Sequence, residues 1–298
     1  MMEMNGAVIL DTYAEAFPVW LSRVIITAET QEWALKAAVE ATGFASSRIG
    51  CPCEAGIECT ISPEATPDKR PGAGILICAE KKNLKSNVAL RVSQCILPVP
   101  TASAFDGFPE SPSRFFTRMH YFGDGYEERC TVGGRKCWKI PVMAGVYVGE
   151  ERFGAVKGIA GGNFLVMGRD QPSALAGAEA AAGAIAGMQG VITGFAGGIV
   201  ASGSKVGCRN YRFPMPASTN HAYCPTLKGR IPDSQVPDNV RSIYEIVING
   251  VDEPSVRNAM RAGIRAATET GSVLYIGASN FEGKLGQYTI YLHDLFRK

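Results

Sequence analysis

Glu245 interrupts an apolar run, "IYEIVINGVDEP" (Ile243 to Pro254), that alternates as a strand does before it turns into a helix. Tyr244, Ile246 and Ile248 fall on one face, and Ile243, Glu245 and Val247 on the other. Both faces are apolar enough to be buried. A carboxyl taken out of water favours its neutral form, which raises its pKa toward the range useful for proton transfer near neutral pH. The plainer reading is a buried glutamate paired with Arg or Lys. The residues by themselves leave both open.

Charge around this glutamate is uneven. From Ala180 to Pro232 there is no Asp or Glu, while Lys205, Arg209, Arg212, Lys228 and Arg230 all lie in that stretch. Such a local positive field suits an anionic ligand. The alternative is a face of ion pairs, matched by acids from the other lobe or another subunit. The stretch also holds "GIVASGSK" (Gly198 to Lys205), whose glycine spacing imitates a phosphate-binding loop. Ser204 precedes Lys205, however, reversing the required order, and "VGCRNYRFP" does not open a helix, so ATP use is not expected. The glycines still suit a loop whose backbone approaches a ligand closely. His221 sits in the polar segment "STNHAYCPTLKG", where it either touches substrate or simply shapes a turn.

Other chemistries have little support. The three histidines, His120, His221 and His293, form no paired metal motif, and no G-x-S-x-G elbow is present. "CPCEAGIEC" offers Cys51, Cys53 and Cys59, but the spacing is not the usual C-x-x-C and no second pair follows at zinc-site distance. Cys130 and Cys137 flank a Gly133-Gly134 turn and are placed to face each other across a hairpin. Nine irregularly spaced cysteines read as free thiols, several of them small buried hydrophobes.

The elements that must position these residues follow from periodicity. "RVIIT" reads as a strand, and Thr30 to Thr42 as a helix capped by Thr30 and stopped at Gly43, with Trp33, Ala37 and Ala41 as its apolar stripe. The segment from Cys51 to Gly72 reads as a loop. Strand "AGILICA", a helix with Leu84, Val88 and Val92 on one face, and a short strand "ILPVP" complete the first half. Arg114 to Met143 reads as an antiparallel meander with turns at Asp124-Gly125 and Gly133-Gly134. The second half repeats the order: strand "GNFLVMG", a helix from Gln171 to Gly187, a glycine-rich strand and loop, strand "YEIVING", a helix from Glu253 to Glu269, then strands "SVLYIGA" and "YTIYLHDL". The helix from Gln171 carries eight alanines, which suits tight packing or a subunit interface. This order implies an α+β fold made of two ferredoxin-like lobes, each a split β-α-β unit forming an α/β sandwich, with an inserted antiparallel meander. The boundary is expected near Val148 to Arg152, giving an N-terminal lobe over 1–148 and a C-terminal lobe over 149–298.

Composition bounds the possibilities. The 298 residues are 46% hydrophobic and 19% charged, an ordinary globular balance, and a length of about two domains. A net charge of +2 does not favour a nucleic-acid partner. No apolar run reaches the ~18 residues of a membrane span, and the N-terminus lacks a signal-peptide pattern, so a cytoplasmic protein is expected.

Several segments together resemble the formylmethanofuran:tetrahydromethanopterin formyltransferase family: "MNGAVILDTYAEAFPVWLSRVIITA", "EATGFA", "CPCEAGIE", "YFGDGYE", "GIAGGNFLVM", "GGIVASGSKVG", "TNHAYCPTLKG" and "YEIVINGVDE". The likeness extends to "GKLGQYTIYLHDLF". It is weakest from Ser86 to Arg118, and Cys53 is a variation on the pattern. The resemblance implies a formyltransferase, an acyltransferase of one-carbon metabolism and methanogenesis. It would move a formyl group reversibly from formylmethanofuran to N5 of tetrahydromethanopterin. Methanofuran and tetrahydromethanopterin would be its coenzyme substrates, with no metal or prosthetic group. The resemblance further implies a homodimer or homotetramer with the active site in a cleft at a subunit interface. Glu245 would match the family's catalytic glutamate. Both coenzymes carry carboxylates and the pterin a phosphate, which gives the acid-free stretch a purpose. Lys205, Arg209 and Lys228 are then candidates for anion contacts, and Ser202, Asn220 and His221 for polar positioning. The rival readings are a non-catalytic subunit of a formyltransferase/hydrolase complex and a metal-binding redox protein. An intact Glu245 and "TNHAYCPTLKG" speak against the first, and the lack of a four-cysteine cluster motif against the second.

Overall fold

The computed structural model describes residues 2–297. The first half runs β1 (Met2–Met4), β2 (Ala7–Ile9), β3 (Tyr13–Thr27), α1 (Gln31–Thr42), β4 (Glu54–Ile61), β5 (Gly72–Ala79), α2 (Lys81–Leu90) and β6 (Ser103–Asp106). Next come β7 (Ser113–Phe116), β8 (Glu128–Val132), β9 (Arg135–Val142) and β10 (Gly145–Glu150). The second half has β11 (Arg152–Gly168), α3 (Gln171–Ile185), β12 (Val191–Thr193), β13 (Lys205–Val206), β14 (Ala217–Ser218) and β15 (Ser242–Gly250). It ends with α4 (Glu253–Glu269), β16 (Val273–Gly277) and β17 (Tyr288–Tyr291). Two compact units result. One holds Val19–Gly158; the other combines the chain before Val19 with the chain from Ile159 onward.

In the unit Val19–Gly158, β5 pairs antiparallel with both β4 and β3, and β3 pairs with β6. The order β4-β5-β3-β6, with α1 and α2 as the two crossovers, is the split β-α-β arrangement. The segment read as a loop contains β4, because Ala55, Gly56, Ile57 and Cys59 pair with β5, and most of its turn residues fall in the connection after Ile61. "ILPVP" is not a strand: α2 continues into a π-helical turn, Arg91–Ile96, and the fourth strand begins at Ser103. Proline at positions 98 and 100 removes two of the amide donors that a ladder there would need. On α1 the buried stripe is Ala34, Ala37, Ala38 and Ala41, whereas Trp33 is on the exposed side with Lys36 over its ring. Thr30 caps the helix as expected, its side chain accepting from Trp33 N at 3.3 Å.

The meander is β8, β9 and β10, with β10 lying parallel to β6. Gly133-Gly134 turns the β8–β9 hairpin, both glycines at positive φ, and brings Cys130 opposite Cys137. Both thiols are free, and burial, aided by Glu150, pushes Cys137 up to about 12. Asp124-Gly125 does not turn a hairpin; it closes a 3-10 helix, Met119–Gly123, while β7 pairs with β11.

The other unit has the same architecture. β15 pairs antiparallel with β12 and β11, and β11 with β16, giving the order β12-β15-β11-β16 with α3 and α4 as crossovers. Its core joins Phe164 and Val166 of β11, Ile246 and Ile248 of β15, and Val256, Met260 and Ile264 of α4, all buried. The alanine-rich α3 serves close packing against α4 and the sheet. A Cβ at Gly177 would come within 2.3 Å of Val273 Cγ2, and one at Gly263 within 2.8 Å of the Phe164 ring. Asp252 caps α4 by accepting from Ser255 N at 2.8 Å, so the turn read from "GVDEP" does what its residues predict.

Candidate active site

The strand β15 sorts its side chains as the alternation requires. Tyr244, Ile246 and Ile248 turn toward the helices; Ile243 and Glu245 turn the other way, where Leu165, Met167, Tyr223, Val236 and Val240 cluster. Leu165 of β11 is the register partner of Glu245 on one side. On the other side β12 reaches only as far as Ile248, so the edge of β15 beyond it is free. Val200 takes that edge, donating to Glu245 O at 2.8 Å and accepting from Glu245 N at 3.0 Å. The glycine-rich loop is thereby tied to the residue that carries the carboxyl.

A recess of about 160 Å³ opens there, lined among others by Glu245, Ser202, Asn220, Tyr223, Val200 and Leu165. Desolvation raises the Glu245 pKa above the ordinary carboxylate range, and the one hydrogen bond from Ser279 opposes this only in part. Among the described residues no cation forms an ion pair with Glu245. Burial without a counter-charge is the arrangement that keeps a carboxyl neutral. The Tyr223 hydroxyl donates to Ala278 O at 3.3 Å, and burial and then the nearby Glu245 raise its pKa.

Glu245 Oε1 is 3.0 Å from Ser279 Oγ, which is itself 3.2 Å from Asn163 Oδ1. Asn163 is fixed by its neighbours: Nδ2 donates to Ser279 O at 3.0 Å and to Gly161 O at 3.3 Å, while Oδ1 accepts from Ser279 N at 2.9 Å. The chain after Ser279 is held by Glu15, whose buried carboxylate accepts backbone N–H from Phe281, Gly283 (3.0 Å), Leu285 (3.1 Å) and Gly286 (2.8 Å). Burial pushes the Glu15 pKa up, but the four donors outweigh it and hold the group below the ordinary value. Two glutamates in one unit, Glu15 fully buried and Glu245 partly buried at its recess, are thus driven in opposite directions.

The basic residues gather in a second recess of about 580 Å³. Lys205 Nζ donates to Thr219 O at 2.9 Å and to His221 Nδ1 at 2.9 Å, and His221 Nε2 lies 2.9 Å from Asp233 Oδ2. Arg209 reaches the same carboxylate at 2.9 Å. These contacts are satisfied together when His221 accepts at Nδ1 and carries its proton on Nε2. His221 and then Arg209 hold Asp233 below its usual pKa. Tyr211 and Phe213, both exposed, stack at 5.1 Å and 16°, and Tyr211 lines this recess.

Of the seven residues singled out from sequence, Glu245, Ser202 and Asn220 line the first recess, and Lys205, Arg209 and His221 the second. Lys228 lines neither and pairs with Asp238 at 2.6 Å. The acid-free stretch is therefore partly an ion-paired face after all, its acids supplied by residues just beyond its C-terminal end. Ser279, Asn163 and Tyr223 escaped the sequence reading. Asn163 carried a legible signal, a lone amide in the apolar run "GGNFLVM". Among the cysteines, Cys53 Sγ is already taken by Arg91, which donates from Nη2 at 3.0 Å and Nε at 3.3 Å. Among the described residues no three His, Cys, Asp or Glu side chains converge as a metal would require.

Comparison with known proteins matches this arrangement to one family. The family model described as formylmethanofuran-tetrahydromethanopterin formyltransferase matches residues 2–142, and that described as FTR, proximal lobe, matches residues 145–295. The chain is 52% identical to the formylmethanofuran–tetrahydromethanopterin formyltransferase of Methanocaldococcus jannaschii, over 99% of this chain and 100% of that one. The solved formyltransferase from Methanosarcina barkeri superposes with a TM-score of 0.95 at 49% identity, covering 99% of this chain and 100% of that one. A chain of the formyltransferase/hydrolase complex from Methylorubrum extorquens, solved with methylofuran, gives 0.93 at 42% identity, covering 100% of this chain and 99% of that one.

Proposed function

Because the chain belongs to the formylmethanofuran-tetrahydromethanopterin formyltransferase family, we propose that its formyl transfer runs in the recess at Glu245, with that carboxyl as the proton-carrying group. The chain is a formyltransferase, and formylmethanofuran and tetrahydromethanopterin are its substrates. Membership of the family sets aside the redox reading.

Transfer between two nitrogens sets the demands on the site. N5 of the pterin attacks the formyl carbon and a tetrahedral oxyanion forms. The bond from that carbon to the methanofuran nitrogen then breaks, and one proton passes from N5 to the released amine. A neutral carboxyl can donate to the oxyanion, and it can give a proton to one nitrogen while taking one from the other. An ionised carboxylate would repel the oxyanion. The single observation that supports Glu245 in this role is its place in a small, largely desolvated recess with no counter-charge among the described residues. Its recess has room for the reacting formamide end but not for a whole coenzyme, so the bulk of both substrates lies outside it. Ser202 and Asn220 border the recess and would orient the formyl group. Lys205 and Arg209, with His221 between Lys205 and Asp233, would receive coenzyme carboxylate or phosphate. Lys228, paired with Asp238, would contribute to the field rather than to a contact.

We also propose assembly into a homodimer or homotetramer. The exposed apolar side chains Tyr121, Phe122, Tyr126, Met143 and Val146 in and around the meander support it. Among the described residues no helix is long and apolar enough to cross a membrane. The test of the central reading is formyl transfer from formylmethanofuran to tetrahydromethanopterin, followed spectroscopically with the purified protein alone and with Glu245→Gln. Near-normal turnover by that variant would remove the glutamate from the mechanism.

A further inference from the structure

Ser279 Oγ lies between two oxygens, Glu245 Oε1 at 3.0 Å and Asn163 Oδ1 at 3.2 Å. The Asn163 amide cannot be turned round, because Nδ2 faces two carbonyl oxygens and Oδ1 faces the Ser279 N–H. The Asn163 contact therefore needs the serine hydroxyl to donate. If Glu245 were ionised, both neighbours of Oγ would be acceptors and one hydroxyl proton would serve two contacts. If Glu245 is neutral and carries its proton on Oε1, that proton is donated to Ser279 Oγ and the serine proton goes on to Asn163 Oδ1. Both contacts are then satisfied.

We propose that Ser279, held by Asn163, is a positioning residue for formyl transfer: a hydroxyl rotor matched to neutral Glu245 that decides which carboxyl oxygen carries the proton. With the rotor turned to Asn163, the proton sits on Oε1 and Oε2 faces the recess as an acceptor. With the rotor turned to Glu245, Ser279 donates to Oε1 and the proton sits on Oε2, ready to be donated. Among the described residues Oε2 has no hydrogen-bond partner of its own, so it is the oxygen left for the reactants. No atom is gained or lost in the switch. With the rotor turned to Glu245, Oε2 gives its proton to the departing amine while Ser279 steadies the carboxylate by donating to Oε1, and Oε2 then takes the proton that N5 sheds, so the carboxyl ends neutral as it began. Tyr223 and Cys224 also line the recess; the Tyr223 hydroxyl is committed to Ala278 O, and the Cys224 thiol lies against Thr219 Oγ1 and Asn220 O. The position of Ser279 is in turn fixed by the chain that Glu15 anchors.

This proposal rests on the catalytic reading of Glu245, and the experiment separates the two. Turnover and the infrared C=O stretch of the protonated carboxyl are measured in wild type, Glu245→Gln, Ser279→Ala and Ser279→Thr, with the glutamine variant assigning the band. We expect Ser279→Ala to lower kcat about 10- to 100-fold, below the full yield of positioned proton transfer because Glu245 remains, with KM for both coenzymes nearly unchanged. The carboxyl band should shift, because its hydrogen bond is lost, and Ser279→Thr should restore both band and most of kcat. If Glu245→Gln is inactive while Ser279→Ala keeps wild-type kcat and an unshifted band, the rotor is refuted and the glutamate stands. Loss of kcat in Ser279→Ala with an unshifted band makes the serine merely structural and also refutes it. Normal turnover in Glu245→Gln refutes both.

Discussion

Val200 and Glu245 exchange two backbone hydrogen bonds, of 2.8 and 3.0 Å, so the glycine-rich loop hangs from the residue whose side chain faces the reactants.

Glu245→Gln should reduce kcat by roughly 100-fold or more, since the amide can still donate but cannot exchange a proton. It should also stabilise the protein at neutral pH. The folded-state pKa of Glu245 is raised, so the native state holds a proton the unfolded chain releases, and stability falls as pH rises above the unfolded value of about 4.3. The amide removes that loss. Thermal unfolding should show the variant ahead of wild type at neutral pH, by about 2–4 °C per kcal/mol, with the gap closing near pH 4.

Glu15 should behave in the opposite sense. Its folded pKa is lowered, so the stability it provides is complete above the unfolded pKa and is lost as pH falls. Glu15→Gln leaves two of the four N–H donors facing an amide nitrogen, at a cost of about 1–3 kcal/mol for each buried group left unsatisfied. Amide protection in the segment after Ser279, relative to the unstructured rate at the same pH, should fall in this variant at neutral pH, as it should in wild type under acid. Unchanged exchange would contradict the anchoring.

Lys205→Ala and Arg209→Ala should each raise a coenzyme KM by about tenfold, the worth of one charge-assisted contact, with a smaller effect on kcat. Added salt should weaken wild-type binding and do so less in the variants. Lys228→Ala should change KM least of the three, because its exposed pairing with Asp238 is worth little. Steady-state kinetics at two ionic strengths decides this.

Gly177→Ala should destabilise the unit by about 1–3 kcal/mol despite the better helix propensity of alanine. The new Cβ would lie 2.3 Å from Val273 Cγ2 and 3.0 Å from Val166 Cγ1, both on stiff, buried valines. A denaturant midpoint equal to that of wild type would show that the helix can shift.

How far the sequence reached depended on how local each signal was. The helix Glu253–Glu269 was legible to the residue because Asp252 and Pro254 mark its start in the chain itself. The repeated strand and helix order was legible for the same reason. β4 was missed because Gly56 and the turn residues on either side of it look like a loop, and what makes it a strand is its pairing with β5. The unusual glutamate was legible from its apolar flanks, and the basic stretch from its missing acids. Ser279 was not, since a serine after a strand is unremarkable until Asn163, 116 residues away, is brought beside it. The pairing of Lys228 with Asp238 was equally hidden, because composition counts charges without saying which ones meet.

The two split units differ most in one link. Between β4 and β5 the chain takes the short way from Ile61 to Gly72, whereas between β12 and β15 it travels from Thr193 to Ser242. Most of the residues assigned here to coenzyme contact lie on that longer excursion. A repeated framework with a single enlarged connection separates two tasks: substitutions within the excursion can retune coenzyme preference without disturbing the strands that carry Glu245.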